Sequence, residues 1–218
     1  MARGRQRCVL VGRDGVINRR LACGEVLSWK QIEFLPRALD GLRLLAEHGH
    51  DVLVISNQQG VGKGLLCPHE LHRLTRRLLL EVALAGGKID KVYYCTHAPT
   101  DGCGCRAPRP GLLRRAMAEY ALRAADTYVI SDSSEDMEAA AVAGCPAILL
   151  QRNAFLTSGV NGDGGGVEIA SNLHEAAELI VRRGLPTLEE ILRKEWAGFD
   201  FAQRLANEFT HHSRGHSV

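Results

Sequence analysis

The chain has 218 residues, 45% of them hydrophobic and 24% charged, with a formal net charge of +2. That length sustains one well-buried core, or one core with a small appendage. The near balance of charge leaves no electrostatic footprint for nucleic acid or an anionic membrane, and Arg3, Arg5 and Arg7 read as a solvated basic terminus. No apolar run approaches the roughly 18 residues of a membrane span, and the start lacks the apolar stretch of a secretory signal. A cytoplasmic protein with small-molecule partners, monomeric or a small homo-oligomer, is the expectation.

Along the chain, short apolar runs alternate with stretches of helical periodicity. Residues 9–11 read as a strand, 38–47 as a helix with Leu39, Leu42 and Leu45 at helical spacing, and 52–55 as the next strand, which makes a βαβ unit. Then follow a helix over 71–85, a strand over 92–94, a helix over 112–124, a strand over 127–130, a helix over 136–143 and a strand over 147–150. A further strand near 167–170 precedes a helix over 173–183. This alternation predicts an α/β fold, an open parallel sheet with helices on both faces. The glycine-rich stretch 162–166 reads as a surface loop. Beyond residue 184 the pattern changes. Residues 187–208 read as one or two amphipathic helices carrying Trp196, Phe199 and Phe201, opened by Thr187 and Glu190 at capping-box spacing. The expected division is one domain over 1–184 and a helical extension with a disordered tail over 185–218.

Open parallel sheets bind ligands beyond the C-terminal ends of their strands. Four such ends carry polar signatures. The first holds Gly12 and Asp14, the second Ser56, Asn57, Gln58 and Lys63, the third a cysteine cluster and Arg106, and the fourth Ser131, Asp132, Ser133 and Asp136. At the second end, the Ser56 hydroxyl and a glycine-containing turn could meet a phosphate. It is not a Walker A loop, because Asn57 stands where the first glycine belongs and Gly64 where a Ser or Thr is required.

The third end is the most specific. Cys95-Thr96-His97 and Cys103-Gly104-Cys105 present three thiols and one imidazole, two by two, across a loop containing Pro99 and Gly102. Such a set suits a closed, tetrahedral and therefore structural zinc site. Seven cysteines is an odd number, and Cys8, Cys23, Cys67 and Cys145 read as small apolar side chains. The histidines at 48, 50, 69, 72 and 174 show no ligand spacing and read as surface residues.

The segment Val9-Leu10-Val11-Gly12-Arg13-Asp14-Gly15-Val16-Ile17-Asn18 resembles the first motif of the haloacid dehalogenase superfamily of phosphatases. The cysteine loop followed by Arg106, together with Glu33-Phe34-Leu35-Pro36, Ser56-Asn57-Gln58, Pro108-Arg109-Pro110-Gly111 and Glu135-Asp136-Met137, resembles its D-glycero-D-manno-heptose 1,7-bisphosphate phosphatase and histidinol-phosphatase branch. The resemblance spans residues 9–150. It implies a Rossmann-like fold with a zinc-pinned loop and no large cap domain, acting on a small phosphorylated sugar. It also implies an aspartyl-phosphate reaction in which Asp14 serves as acid and base, while Ser56, a lysine and an arginine cradle the phosphate. Asn57 and Gln58 belong to the same phosphate-binding turn. Magnesium would be held by the nucleophile, the Asp14 carbonyl and Asp132.

Three departures stand against that resemblance. Gly12 occupies the position of the attacking aspartate, Ala107 that of the lysine after Arg106, and Ser131-Asp132-Ser133 that of a Gly-Asp-Lys. Arg106 and Arg109 could replace some of the lost positive charge, and Lys63 could reach distal substrate anions. Arg19, Arg20, Lys63 and Arg109 read equally as contacts for a second phosphate or as solvated surface charges. The expected function is a heptose bisphosphate phosphatase homologue that binds a phosphosugar without covalent turnover, its magnesium site weakened. The alternative is a phosphatase with residual activity or an altered mechanism, in which Asp14 and Asp132 hold a metal that activates water.

Overall fold

The computed structural model describes residues 7–22, 24–151 and 167–184. The chain divides into one unit over Met1–Val181 and another over Arg182–Val218. The fold described here is that of the first unit. The glycine-rich stretch 162–166 and the helices expected over 187–208 lie outside the described residues.

Six parallel strands form the sheet: β1 (Cys8–Gly12), β2 (Asp51–Asn57), β3 (Lys91–Cys95), β4 (Thr127–Ser131), β5 (Ala147–Leu150) and β6 (Glu168–Ala170), in the order β3-β2-β1-β4-β5-β6. Five helices accompany them: α1 (Ala38–Glu47), α2 (Pro68–Leu84), α3 (Gly111–Glu119), α4 (Ser134–Ala143) and α5 (Leu173–Gly184). Among the described residues no helix is long and apolar enough to cross a membrane.

The strands are apolar runs because both their faces are covered. Val9, Val11, Val52, Val54, Ile130 and Ile148 point to one face and pack with Leu42 and Leu45 of α1, Leu78 and Val82 of α2, and Ala176, Ala177 and Ile180 of α5. The alternate residues Leu10, Leu53, Tyr93, Val129 and Ala147 meet Leu112, Ala116 and Met117 of α3 and Met137, Ala139 and Ala140 of α4 on the other face. The α/β sandwich is thus the one the sequence pattern predicts, and the strand expected near 167–170 is β6.

Helix ends differ from the periodicity where local chemistry intervenes. α2 begins three residues earlier than its apolar repeat, because Pro68 occupies the first turn and Glu70 Oε2 accepts from the Cys67 N–H at 3.0 Å. α3 stops at Glu119 instead of reaching 124, because Ala121 turns left-handed at φ 52° and the Leu122 N–H bonds back to the Met117 carbonyl at 2.8 Å. Leu122 then packs on the α3–α4 core. Two further corrections concern single residues. Cys67 is exposed rather than packed, and His50 is buried rather than on the surface, so that burial lowers its pKa and favours the neutral ring.

The strand order reverses direction at β1, between β2 and β4. Gly12, Ser56, Cys95 and Ser131 stand at or near the C-terminal ends of these neighbouring strands. An open α/β sheet places its ligand crevice at this switch point.

Candidate active site

One cavity of about 160 Å³ opens over those strand ends, against the roughly 30 Å³ that a water occupies in the liquid. Gly12, Asp14, Ser56, Asn57, Gln58, Arg106 and Arg109 all line it, as do Arg13, Arg20, Glu25, Ser131, Ser133, Glu135 and Asp136. Of the residues assigned to phosphate from the sequence, Lys63 and Arg19 are absent from the lining. The Lys63 ammonium instead pairs with Glu25 at 2.7 Å, and this contact lowers the Glu25 pKa. Arg19 pairs with Glu33 on the surface at 2.7 Å.

Asp14 is the most firmly held side chain of the site. Arg13, 2% exposed, donates to both carboxylate oxygens from Nη2 at 3.0 and 2.9 Å and adds a contact from Nε at 3.1 Å. Asn18 Nδ2 and Gln58 Nε2 each donate at 2.8 Å, and the same Gln58 amide reaches Ser56 Oγ at 2.8 Å. Asp14, Ser56 and Gln58 are therefore one network joining the ends of β1 and β2. Sequence reading missed Arg13; a lone arginine beside an acid carries no signal of its burial. Removing one partner of a buried ion pair costs about 3–5 kcal/mol, because the other charge is stranded. Arg13→Ala is expected to lose about that much in urea denaturation. Arg13→Lys is not expected to recover it, since an ammonium cannot make the two-pronged contact.

The turn after Asp14 requires glycine. Gly15 has φ +88°, and a Cβ there would lie 1.8 Å from Asp132 Oδ2. The close approach brings Asp132, from the end of β4, against the Asp14 loop. Arg20 fills the space beside them. Its Nη2 donates to the Asp14 carbonyl at 3.0 Å and to Asp132 Oδ1 at 2.6 Å, while Nε reaches Asp132 Oδ2 at 3.3 Å. The hydrogen bond that Arg20 donates to Asp132 raises the Arg20 pKa further, in spite of partial burial.

Gly12 presents no side chain to the cavity. A Cβ at this position would lie 2.9 Å from Val16 Cγ2, 3.4 Å from Ser131 Oγ and 3.6 Å from the Ile130 carbonyl. Ser131 Oγ donates to the half-buried Asp136 Oδ2 at 2.6 Å and accepts from the Ser133 N–H at 3.3 Å. Burial raises the Asp136 pKa above the usual carboxylate value of 3.8, against the opposing Ser131 hydrogen bond. The native state therefore holds this proton to higher pH than the unfolded chain does. The stability Asp136 contributes is present in full below the unfolded carboxylate pKa and is lost as pH rises through the raised native one. Asp136→Asn is expected to flatten that part of the urea-midpoint profile against pH.

Arg106 shows the clearest sign of a missing ligand. Its Nη1 is buried without a hydrogen-bond partner while the residue lines the cavity. A buried donor left unmade costs free energy that an incoming acceptor oxygen recovers.

A cluster of potential metal ligands stands next to it. Cys95 ends β3, fully buried; His97 follows, and a 3-10 turn over Pro99–Asp101 brings the chain back to Cys103 and Cys105. Sulfur pairs lie 3.3–3.6 Å apart, and His97 Nδ1 is 3.7 Å from Cys95 Sγ and 3.2 Å from Cys105 Sγ. Tetrahedral zinc with Zn–S bonds of about 2.3 Å spaces its sulfurs about 3.8 Å apart, so the four donors fit such an ion closely. Cys95, His97, Cys103 and Cys105 are the one such cluster of potential ligands among the described residues. Arg109 ties this loop, donating Nη1 to the carbonyls of Gly102 and, at 2.7 Å, Cys103.

The parallel sheet and the strand ends converging on the Asp14 loop define a haloacid dehalogenase-like hydrolase scaffold. Residues 104–176 match a family model described as "HAD-hyrolase-like". The chain is 38% identical over 154 residues to the D-glycero-alpha-D-manno-heptose-1,7-bisphosphate 7-phosphatase of Mycobacterium bovis, covering 66% of this chain and 80% of that protein. It is 31% identical over 175 residues to the D-glycero-beta-D-manno-heptose-1,7-bisphosphate 7-phosphatase of Bordetella bronchiseptica, covering 80% and 97%. The crystal structure of the D,D-heptose 1,7-bisphosphate phosphatase from B. bronchiseptica, complexed with magnesium and phosphate, superposes with a TM-score of 0.75 at 29% identity, covering 82% of this chain and 99% of that one. The chain belongs to the heptose 1,7-bisphosphate phosphatase family of the haloacid dehalogenase-like hydrolases.

Proposed function

We propose that this chain is a phosphosugar-binding pseudophosphatase, a heptose bisphosphate phosphatase scaffold that keeps recognition and has lost covalent turnover. The observation that carries this reading is the bare end of β1. Gly12 offers no attacking atom, and its neighbourhood is closed by the Val16 methyl.

Binding draws on what remains. The unpartnered Arg106 Nη1 meets a phosphate oxygen, and Ser56 Oγ, already accepting from Gln58, donates its own proton to another. Without a carboxylate at position 12, no negative charge from that position opposes the incoming anion, so affinity is retained or strengthened. Asp14 occupies the acid/base position but, with Arg13, Asn18 and Gln58 on its two oxygens, serves as the fixed point that aligns Ser56. Zinc in the Cys95, His97, Cys103 and Cys105 cluster is structural, since four protein ligands leave no open position for water or substrate. It holds the loop from which Arg106 projects. The ligand class is a small sugar carrying a phosphate monoester, as the names of the relatives suggest.

The test is phosphate release from both heptose 1,7-bisphosphate anomers, with magnesium, beside calorimetric binding of the same compounds. Binding without release is expected. Robust magnesium-dependent release by the native chain sinks the proposal. A second reading, residual turnover, has one observation in its favour. Ser131 Oγ is a hydroxyl hydrogen-bonded to a half-buried carboxylate, 3.4 Å from where the Cβ at position 12 would stand. Release that disappears in Ser131→Ala supports that reading instead.

A further inference from the structure

Magnesium takes a near-octahedral shell of oxygens at about 2.0–2.1 Å, and its protein-derived oxygens must be free to face it. The residues that the family resemblance assigns to that ion do not fit it in this chain. One carboxylate is missing at Gly12. The two remaining oxygens, the Asp14 carbonyl and Asp132 Oδ1, both accept from one nitrogen, Arg20 Nη2, at 3.0 and 2.6 Å. Arg20 Nε closes the fork on Asp132 Oδ2 at 3.3 Å. We propose that the Arg20 guanidinium takes the place of the divalent cation, so that the cavity binds a phosphate monoester without any metal at this position.

Charge and geometry agree on this. Relative to a site with magnesium and two carboxylates, the chain has one carboxylate fewer at Gly12 and one positive charge fewer in Arg20, so the local sum is unchanged. A guanidinium carries five N–H donors in a planar fork. Asp132 and the Asp14 carbonyl engage Nη2 and Nε, which leaves Nη1 for the phosphate, as a bound cation would leave open positions for it. Arg20 lines the same cavity as the unpartnered Arg106 Nη1, so two guanidinium donors converge on one ligand. Gly15, which admits Asp132 to within reach of Arg20, completes the arrangement. Sequence reading left Arg20 undecided between a surface charge and a second-phosphate contact because its two acceptors lie 6 and 112 positions away.

The inference rests on the phosphosugar-binding reading, and one experiment separates the two. Zinc-loaded full-length chain, in buffer without chelator, is titrated calorimetrically with inorganic phosphate and with mannose 6-phosphate, with and without magnesium chloride. The expected result is binding whose affinity changes less than about two-fold on adding magnesium, and that weakens about ten-fold or more in magnesium-free buffer in Arg20→Ala, the loss of a charge-assisted contact. Arg20→Lys, with unchanged circular dichroism, is expected to retain part of the affinity, which excludes misfolding as the cause. Binding that appears only with magnesium, or that Arg20→Ala leaves untouched, overturns the role given to Arg20 and leaves the phosphosugar reading standing. No binding under either condition refutes both.

Discussion

Cys95→Ser is expected to abolish stoichiometric zinc and to destabilise the first unit more than any other single change in the site. Structural zinc in small domains contributes an apparent binding free energy of about 10–16 kcal/mol, of which ordering the loop consumes a part. Cys95 is the ligand with most to lose. It is fully buried at the end of β3, its carbonyl accepts from the Gln58 N–H at 2.7 Å, and burial, followed by its hydrogen bond with Cys105, pushes its unmetallated thiol up to about 12. A serine there leaves a hydroxyl among sulfurs with no ion to hold. The loss is expected to exceed about 3 kcal/mol in urea denaturation, with metal content measured by inductively coupled plasma mass spectrometry. Phosphate affinity is expected to fall with it, because Arg106 directly follows Cys105 and Arg109 braces the carbonyls of Gly102 and Cys103. Cys145→Ser is the control: this buried thiol contacts Met117 and lies outside the cluster, so metal content is expected to stay the same. If metal-free and metal-loaded chain unfold at the same denaturant concentration, the cluster is not a structural zinc site.

The sheet was legible because its strands are continuous apolar runs and its helices carry 3.6-residue periodicity, patterns with different periods that do not imitate each other. The Cys/His cluster was legible for a related reason: its four potential ligands fall within eleven residues, so spacing in sequence stands for proximity in space. Helix ends were less so. α3 ends at Glu119 because of a backbone turn at Ala121, and nothing in an alanine announces a positive φ. The charged network around Asp14 was the least legible. Gly12, Asp14 and Ser56 could be placed at strand ends, but which cation serves which acid depends on long-range packing. Lys63 goes to Glu25, Arg13 to Asp14 and Arg20 to Asp132, and a list of charges in sequence contains no information on that choice.

Placing an aspartate at position 12 is expected to raise phosphate release only in company. In Gly12→Asp alone the new Cβ meets Val16 Cγ2 at 2.9 Å, and Val16 is 1% exposed and β-branched, so the side chain has to rotate or shift. Overpacking of this kind costs about 1–3 kcal/mol, which a folded domain survives. The carboxylate then stands beside a cavity whose cation is Arg20, and a guanidinium already bound to Asp132 and the Asp14 carbonyl leaves no coordination for magnesium. Phosphate release by Gly12→Asp is therefore expected to stay near that of the native chain. Gly12→Asp combined with Arg20→Ala frees both oxygens and supplies the third, and with magnesium its release rate is expected to rise about 10³-fold or more above native. Losing a covalent nucleophile costs about 10⁶ in rate, and the smaller figure allows for Ala107, which leaves the position of the lysine empty. Adding Ala107→Lys is expected to raise it further. A single Gly12→Asp variant that turns over at the level of the double one shows that Arg20 yields to magnesium once a carboxylate is present, and the guanidinium then fills the site only in its absence. A double variant that binds phosphate but stays at native rates shows instead that the loss of catalysis extends beyond β1 and Arg20, to the Ser131-Asp132-Ser133 end of β4.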